Sequence, residues 1–294
     1  MFKFHIQVFI SMTLFALSFV WSKQALAFMT PAILITLRVV VASVVVGLFA
    51  LSSRRLQRVS RSDRWFLLLL ALAEPVGYFL FENAGIARVS PTLACLVIGI
   101  IPLVTPFAAY FVNREQVRVN TWVGLFISFL GVVFVILSEG VEQLEGNLSG
   151  IMYLFGAIVC SIVYYLMIQR ISRRLNSYTI VSYINIFSIV FLLPIIFLVD
   201  YASLMSMAGS IDGWLYPVMM LGVLCSSVAF ILNTNGIRAL GITITTMYIN
   251  LMPGITAFFS FLLLGEEITS VKVLGILVTI VGLFIGGYRR PSKT

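Results

Sequence analysis

The stretch GIARVSPTLACLVIGIIPLVTPFAAYFVNRE, residues 85–115, returns in altered form 151 positions later as GIRALGITITTMYINLMPGITAFFSFLLLGE, residues 236–266. Sliding one over the other without gaps aligns Gly85 with Gly236, Thr92 with Thr243, Pro102 with Pro253, Thr105 with Thr256, Phe107 with Phe258 and Glu115 with Glu266. The register holds on both sides, through Phe79 and Phe230, Gly124 and Gly275, and Gly131 and Gly282. A strong apolar bias supplies some identities by itself. Gly, Pro and Glu, however, punctuate backbone and loops, so their agreement in register points to a duplicated unit. The chain divides into two halves, residues 1–146 and 147–294.

Composition sets the class of that unit. Hydrophobic residues are 61% of the chain and charged residues 10%, with a mean hydropathy of +1.09. This is far above the usage of soluble domains. A helix needs about 20 apolar residues to cross a hydrocarbon core of roughly 30 Å, and ten such spans fit: 5–26, 31–51, 66–86, 91–112, 120–138, 148–168, 178–199, 213–234, 242–264 and 269–287. The longest polar links, SSRRLQRVSRSDR and SEGVEQLEGNLSG, are too short to fold alone. The expected fold is an all-α integral membrane protein of ten transmembrane helices. Five spans per half is an odd number, so the second copy enters from the opposite side and the repeats are inverted around a central cavity.

Charge placement agrees with an even number of spans, because cytoplasmic loops retain Lys and Arg. With the N-terminus inside, Lys3, Arg54, Arg55, Arg58, Arg61, Arg64, Arg114, Arg118, Arg170, Arg173, Arg174, Arg238, Arg289, Arg290 and Lys293 all become cytoplasmic. The outer loops hold Glu139, Glu142, Glu145, Asp200, Asp212, Glu266 and Glu267. Both termini are expected in the cytoplasm, and the net charge of +8 reads as topology and affinity for anionic lipid headgroups, with no nucleic-acid surface. The first span ends in Ala25-Leu26-Ala27 and so imitates a signal peptide, but the repeat requires it as a span. Cys95, Cys160 and Cys225 fall within spans and read as small apolar core residues.

One span carries polar groups at odds with lipid. In AEPVGYFLFEN, residues 73–83, a continuous helix puts Glu74, Tyr78 and Glu82 on one face over roughly 12 Å of axis. A carboxylate in hydrocarbon costs a few kcal/mol, so that face should look into the bundle. Pro75 lacks the N–H that would bond the carbonyl of Ala71 and should kink the helix, leaving a carbonyl to line a polar pocket. Arg38 lies at a depth similar to Glu82, and an ion pair between them would serve as an outer latch or as structure alone. A desolvated Glu74 is a candidate proton carrier.

The chain resembles the EamA family of the drug/metabolite transporter superfamily over nearly its whole length. The resemblance rests on ALSFVWSK (16–23), the Arg38 of LRVVVAS, YFLFENAGIARVSP (78–91), IIPLVTPF (100–107), NREQVRVNTWVGLFISFLGVVFVI (113–136) and the long run 235–285. Its most specific part is Pro in the fourth span, Glu just after it and Gly-x6-Gly in the fifth, each occurring twice. Phe15-Ala16 stands in place of the family's usual Trp-Gly pair, and Glu74-Pro75 is not general in the family, departures that bear on substrate choice. The resemblance implies a carrier with a cavity lined mainly by spans one, three, four, six, eight and nine, commonly an exporter of small metabolites or drugs in a bacterial cytoplasmic membrane, working as a monomer or homodimer.

The remaining polar and aromatic candidates follow from this frame. Asn233 is the repeat mate of Glu82. Tyr248 and Asn250 lie near mid-membrane beside Pro253, whose mate is Pro102, so Pro75, Pro102 and Pro253 are candidate hinges. Tyr164, with Tyr165, and Trp21 add aromatic surface, and Lys23 reads as snorkelling to headgroups. A mixed acidic and aromatic cavity suits amino acids or amphipathic aromatic or cationic solutes. His5 is the single histidine, no phosphate-cradling glycine loop occurs, and no metal or cofactor is expected. Two readings from other classes stay open: a channel-like or regulatory membrane protein, and an intramembrane enzyme with Glu74 and Glu82 as acid and base.

Overall fold

The computed structural model describes residues 2–105, 119–138, 144–206 and 211–287. Every regular element among them is helical. Seven helices are long and apolar enough to cross a membrane: α1 (Phe2–Leu26), α2 (Pro31–Ser52), α3 (Arg61–Ile86), α6 (Leu148–Ile171), α7 (Ser177–Leu198), α8 (Gly213–Leu240) and α9 (Ile244–Leu264). Three shorter apolar helices lie in the segments called here α4 (Pro91–Thr105), α5 (Val119–Ser138) and α10 (Ser270–Gly287). Positions 1, 106–118 (with Glu115), 139–143, 207–210 and 288–294 lie outside the described residues.

The helix starts follow local chemistry. Thr30 and Ser90 accept from the backbone N–H groups of Ile33 and Leu93, and each is followed by a proline at the first helical position. Such a residue satisfies an orphan donor, while the proline brings a pre-set φ and has no N–H to leave unpaired. Ser60 and Asn176 cap α3 and α7 in the same way. Many large apolar side chains point outward, Phe126 at 65% exposure and Leu198 at 84% among them. Surfaces that apolar fit acyl chains and not water.

Three helices are interrupted, each at a proline. In α3 the backbone of Glu74 is extended (φ −151°, ψ 124°), ahead of Pro75. In α4 the helix loosens at Gly99 and Ile100, ahead of Pro102. In α9 a tighter turn over Tyr248–Leu251 precedes the helix that contains Pro253. A proline removes one intrahelical bond and crowds the preceding turn, so the chain departs from α geometry just before it. Pro102 and Pro253 are repeat mates, and their interruptions coincide under the 151-residue shift. Helix α8 widens to π-type turns over Leu221–Ala229, the region onto which the shift carries Pro75.

The tightest helix pair is α5 with α10. A Cβ added to Gly131 would sit 2.6 Å from the carbonyl of Gly275, one added to Gly275 would sit 2.8 Å from the carbonyl of Gly131, and one added to Gly282 would sit 2.8 Å from that of Gly124. Contacts that pair 131 with 275 and 124 with 282 run antiparallel. Between them Ser128 donates to the carbonyl of Thr279 at 3.2 Å, while the Thr279 hydroxyl donates to the carbonyl of Gly275 in its own helix at 2.9 Å and lies 3.5 Å from that of Ser128. Small residues let the backbones approach, and hydroxyls supply hydrogen bonds that lipid does not. Elsewhere α1 packs against α8 and α9, α2 against α7, and the later part of α3 against α6.

Gly131→Ala should therefore force α5 and α10 apart and destabilise the protein by about 1–3 kcal/mol. Gly47→Ala, where a Cβ meets nothing within 4 Å, should be neutral or stabilising by up to about 1 kcal/mol. Thermal unfolding in detergent compares the two, and equal midpoints would show that the helix contact is not close-packed.

Candidate functional site

A cavity lies between the helices, with about 480 Å³ of empty space when its solvent-open part is included, and its walls come from α1, α3, α4, α6, α8 and α9. Glu74, Tyr78, Phe79 and Glu82 enter from α3; Phe15 and Phe19 from α1; Tyr165 from α6; Phe230 and Asn233 from α8. Ile98, Ile101, Ile249 and Met252 complete the apolar part. Among the described residues, neither lysine, arginine nor histidine is in this lining.

The acidic wall is built in two ways. Tyr78 and Glu82 are four residues apart on intact helix, one turn above each other, and the Tyr78 hydroxyl donates to Glu82 Oε1 at 2.7 Å. Glu74 does not continue that face, because the helix is broken at its own backbone. The expectation of one continuous helical face through all three residues is thus corrected: Glu74 reaches the cavity through the break. Both carboxylates are buried, and Oε2 of each has no hydrogen-bond partner among the described residues. A buried, half-satisfied carboxylate is costly, which makes a cationic or hydrogen-bonding occupant favourable.

The Arg38–Glu82 ion pair anticipated from their depths is not formed. Arg38 Nε donates to Ser226 Oγ at 2.9 Å, and the guanidinium carbon lies 3.8 Å from the centroid of the Phe79 ring. The ring of Phe79, which follows Tyr78 on α3, thus takes up one face of the guanidinium. Trp21 does not reach the cavity; it packs in a separate apolar cluster with Ala25, Ile33 and Leu221. Tyr164 is buried behind the lining, edge-on to Tyr165 and Phe230 with centroids 5.8 and 6.5 Å away. Tyr248 pairs with His5 at 2.9 Å, joining α9 to α1 near their ends, and Asn250 is buried between lining neighbours. Lys23 does not snorkel: its Nζ donates to the carbonyls of Ile86, at 2.7 Å, and Val89, at 2.9 Å. It thereby caps the C-terminal end of α3, where a cation also meets the helix dipole favourably.

Phe15, Phe19, Phe79 and Phe230 were not singled out as lining residues from the sequence. The alignment of Phe79 with Phe230 was the available signal, since both halves place a ring on the same cavity. At the end of the bundle that carries Ile86 and Pro91, Glu266 accepts from Thr92 at 2.9 Å and pairs with Lys272. That cluster ties α4 to the start of α10.

Comparison with known proteins agrees with this architecture. The model of the EamA-like transporter family matches residues 3–137 and again residues 148–287. A transporter of uncharacterised function from Archaeoglobus fulgidus is 23% identical over 290 residues, 96% of both chains. The S-adenosylmethionine/S-adenosylhomocysteine transporter of Chlamydia trachomatis is 24% identical over 270 residues, covering 88% of this chain and 81% of that one. A solved crystal structure superposes with a TM-score of 0.67 at 17% identity, over 95% of this chain and 97% of the other, which speaks to the fold.

The Tyr78–Glu82 contact is measurable by a double-mutant cycle of Tyr78→Phe and Glu82→Gln. The coupling free energy for unfolding should be about 0.5–3 kcal/mol. Additive effects would mean that the hydroxyl does not hold the carboxylate.

Proposed function

Because the chain belongs to the EamA-like transporter family, we propose that it is a secondary carrier that moves small amphipathic solutes by alternating access through the acidic, aromatic cavity. It is a multi-pass membrane protein with a small-molecule substrate. The observation that carries the reading is the lining itself: two buried carboxylates with unmet oxygens and several aromatic rings, contributed from both family-matched segments, with no cation facing them. Such a wall attracts the positive end of a solute and covers its apolar body. Aromatic amines, amino acids and other amphipathic cations fit it. The relative that carries S-adenosylmethionine supports a cargo of this class, since that molecule combines an aromatic base with a sulfonium centre.

The alternating part of the proposal draws on the two halves being inverted copies in a ten-span bundle. Two units mounted upside down relative to each other have exchangeable conformations of similar energy. The Ser128–Thr279 contact supports this, because the two residues are 151 positions apart and meet across an antiparallel contact, with Ser128 donating to the carbonyl of Thr279. The matched interruptions before Pro102 and Pro253 support the same axis and supply the compliant points, with Pro75 as a third. The Thr92–Glu266–Lys272 cluster would then hold one end shut, and opening that end must break it. Energy comes from solute or ion gradients, export is the expected direction, and Glu74 can exchange a proton for the solute's charge.

A thermal-shift panel of metabolites and drugs on detergent-purified protein should yield ligands dominated by amphipathic cations and zwitterions. Counterflow of a hit in proteoliposomes should fall at least about tenfold in Glu82→Gln, the loss expected for one charged hydrogen bond, in protein that still unfolds cooperatively. Uptake kinetics equal to those of the parent protein would take Glu82 out of the site. Glu74→Gln should flatten the pH profile of flux, and an unaltered profile would end the proton-exchange role. Labelling of the tail 291–294 from the cytoplasmic side alone is expected for the ten-span topology; labelling from outside would overturn it.

A further inference from the structure

Arg38 is a charged group that the cavity does not use. Its side chain is fully buried, with 0% exposure. Nε is satisfied by Ser226, but Nη1 and Nη2 are buried without a partner among the described residues. A guanidinium in a membrane interior with most of its donors unmet is costly to hold, and the face of Phe79 at 3.8 Å offsets only part of that cost. Any arrangement that gave this group an anion would be strongly favoured.

Phe79 also borders the cavity. It is a lining residue and Arg38 is not, so the ring that covers the guanidinium is itself part of the wall shared with Glu74 and Glu82. The ring stands on a helix whose neighbouring turn is already interrupted at Glu74, and besides the guanidinium it meets other rings edge-on, Tyr78 at 5.3 Å and Phe230 at 6.0 Å between centroids. An edge-on contact between rings is weaker than a charge-assisted bidentate hydrogen bond to a desolvated carboxylate.

We propose that Phe79 is a shutter over a concealed anion subsite formed by Arg38, and that the solute is an amphipathic zwitterion whose cationic group meets Glu74 and Glu82 while its carboxylate, once the ring has swung aside, meets Nη1 and Nη2 of Arg38. The proposal rests on the carrier reading of the same cavity and narrows it from cations in general to molecules bearing both charges. It also gives the unmet donors of Arg38 and the unmet oxygens of the two glutamates one common occupant. Arg38 and Glu82 pairing directly with each other in a second conformation is the competing outcome.

The test uses full-length protein in lipid nanodiscs and calorimetric titration with two probes that share a ring, phenylalanine and phenethylamine, the second lacking only the carboxylate. The parent protein should bind phenylalanine at least about tenfold more tightly. Arg38→Met, which removes the charge without leaving unmet donors, should bring the two affinities within about threefold by weakening phenylalanine alone. Arg38→Lys should retain part of the preference, because it keeps the charge but not the planar fork, and it serves in place of the methionine variant if that one does not fold. Phe79→Leu should keep the preference. Equal weakening of both probes by Arg38→Met would assign Arg38 to structure or to Glu82 and overturn the subsite. A parent protein that binds neither probe, or both alike, overturns it too. Glu82→Gln reads the underlying carrier site separately: it should weaken both probes, and amine binding untouched by it would sink that reading instead.

Discussion

A bilayer interior offers no water to satisfy a polar group, and that scarcity of partners organises this molecule. Outward faces are apolar because nothing else is tolerated there, and the polar residues of the spans are driven inward, where they must find one another. Lys23 finds the open carbonyls at the end of α3, and Ser128 finds the carbonyl of Thr279. Neutral groups such as Asn185 and Trp214 also stay unmet, but the charged atoms buried without a partner among the described residues are an oxygen on each of Glu74 and Glu82 and the two terminal nitrogens of Arg38 beside Phe79. In a low-dielectric setting those leftovers are the most expensive groups in the chain, and so the ones with most to gain from a ligand.

The same scarcity explains why departures from regular helix are found where they are. Pro75, Pro102 and Pro253 each free a carbonyl, which lipid would leave bare. All three interruptions fall at or next to residues that line the cavity: Glu74, Ile98 and Ile101, Ile249 and Met252. The interruption does more in α3 than in the other two. It gives Glu74 an extended backbone and frees it from the helical periodicity that holds Tyr78 and Glu82, so two acids eight residues apart reach one space without sharing a regular face.

Much of this could be read along the chain. The membrane class follows from composition, the helix starts from Thr-Pro, Ser-Pro and Asn caps, and the helix irregularities from prolines, all of them local effects. The 151-residue register marks Gly124, Gly131, Gly275 and Gly282 as repeat mates, but that they meet across the α5–α10 contact, with Ser128 donating to Thr279 between them, was not legible, because it depends on how two distant helices are brought together. The acidic wall was visible because carboxylates in an apolar run are rare. Its aromatic lining was not, because phenylalanine is as suited to lipid as to a cavity, and 24 of them occur.

Rotation about single bonds decided the rest. Arg38 and Glu82 lie at similar depth by residue count, and that is as far as counting along two helices can go; whether their side chains meet depends on side-chain rotation, and the guanidinium turns to Ser226 and the face of Phe79 instead. Trp21 and Phe19 sit two positions apart on the same helix, yet one packs with Ile33 and Leu221 and the other lines the cavity. The sequence by itself determined which residues are apolar, which helices they form and where those helices break, because these depend on near neighbours and on transfer free energy. Only the tertiary structure decided who faces whom, because contact between helices depends on their rotation and crossing, to which residues from all over the chain contribute at once.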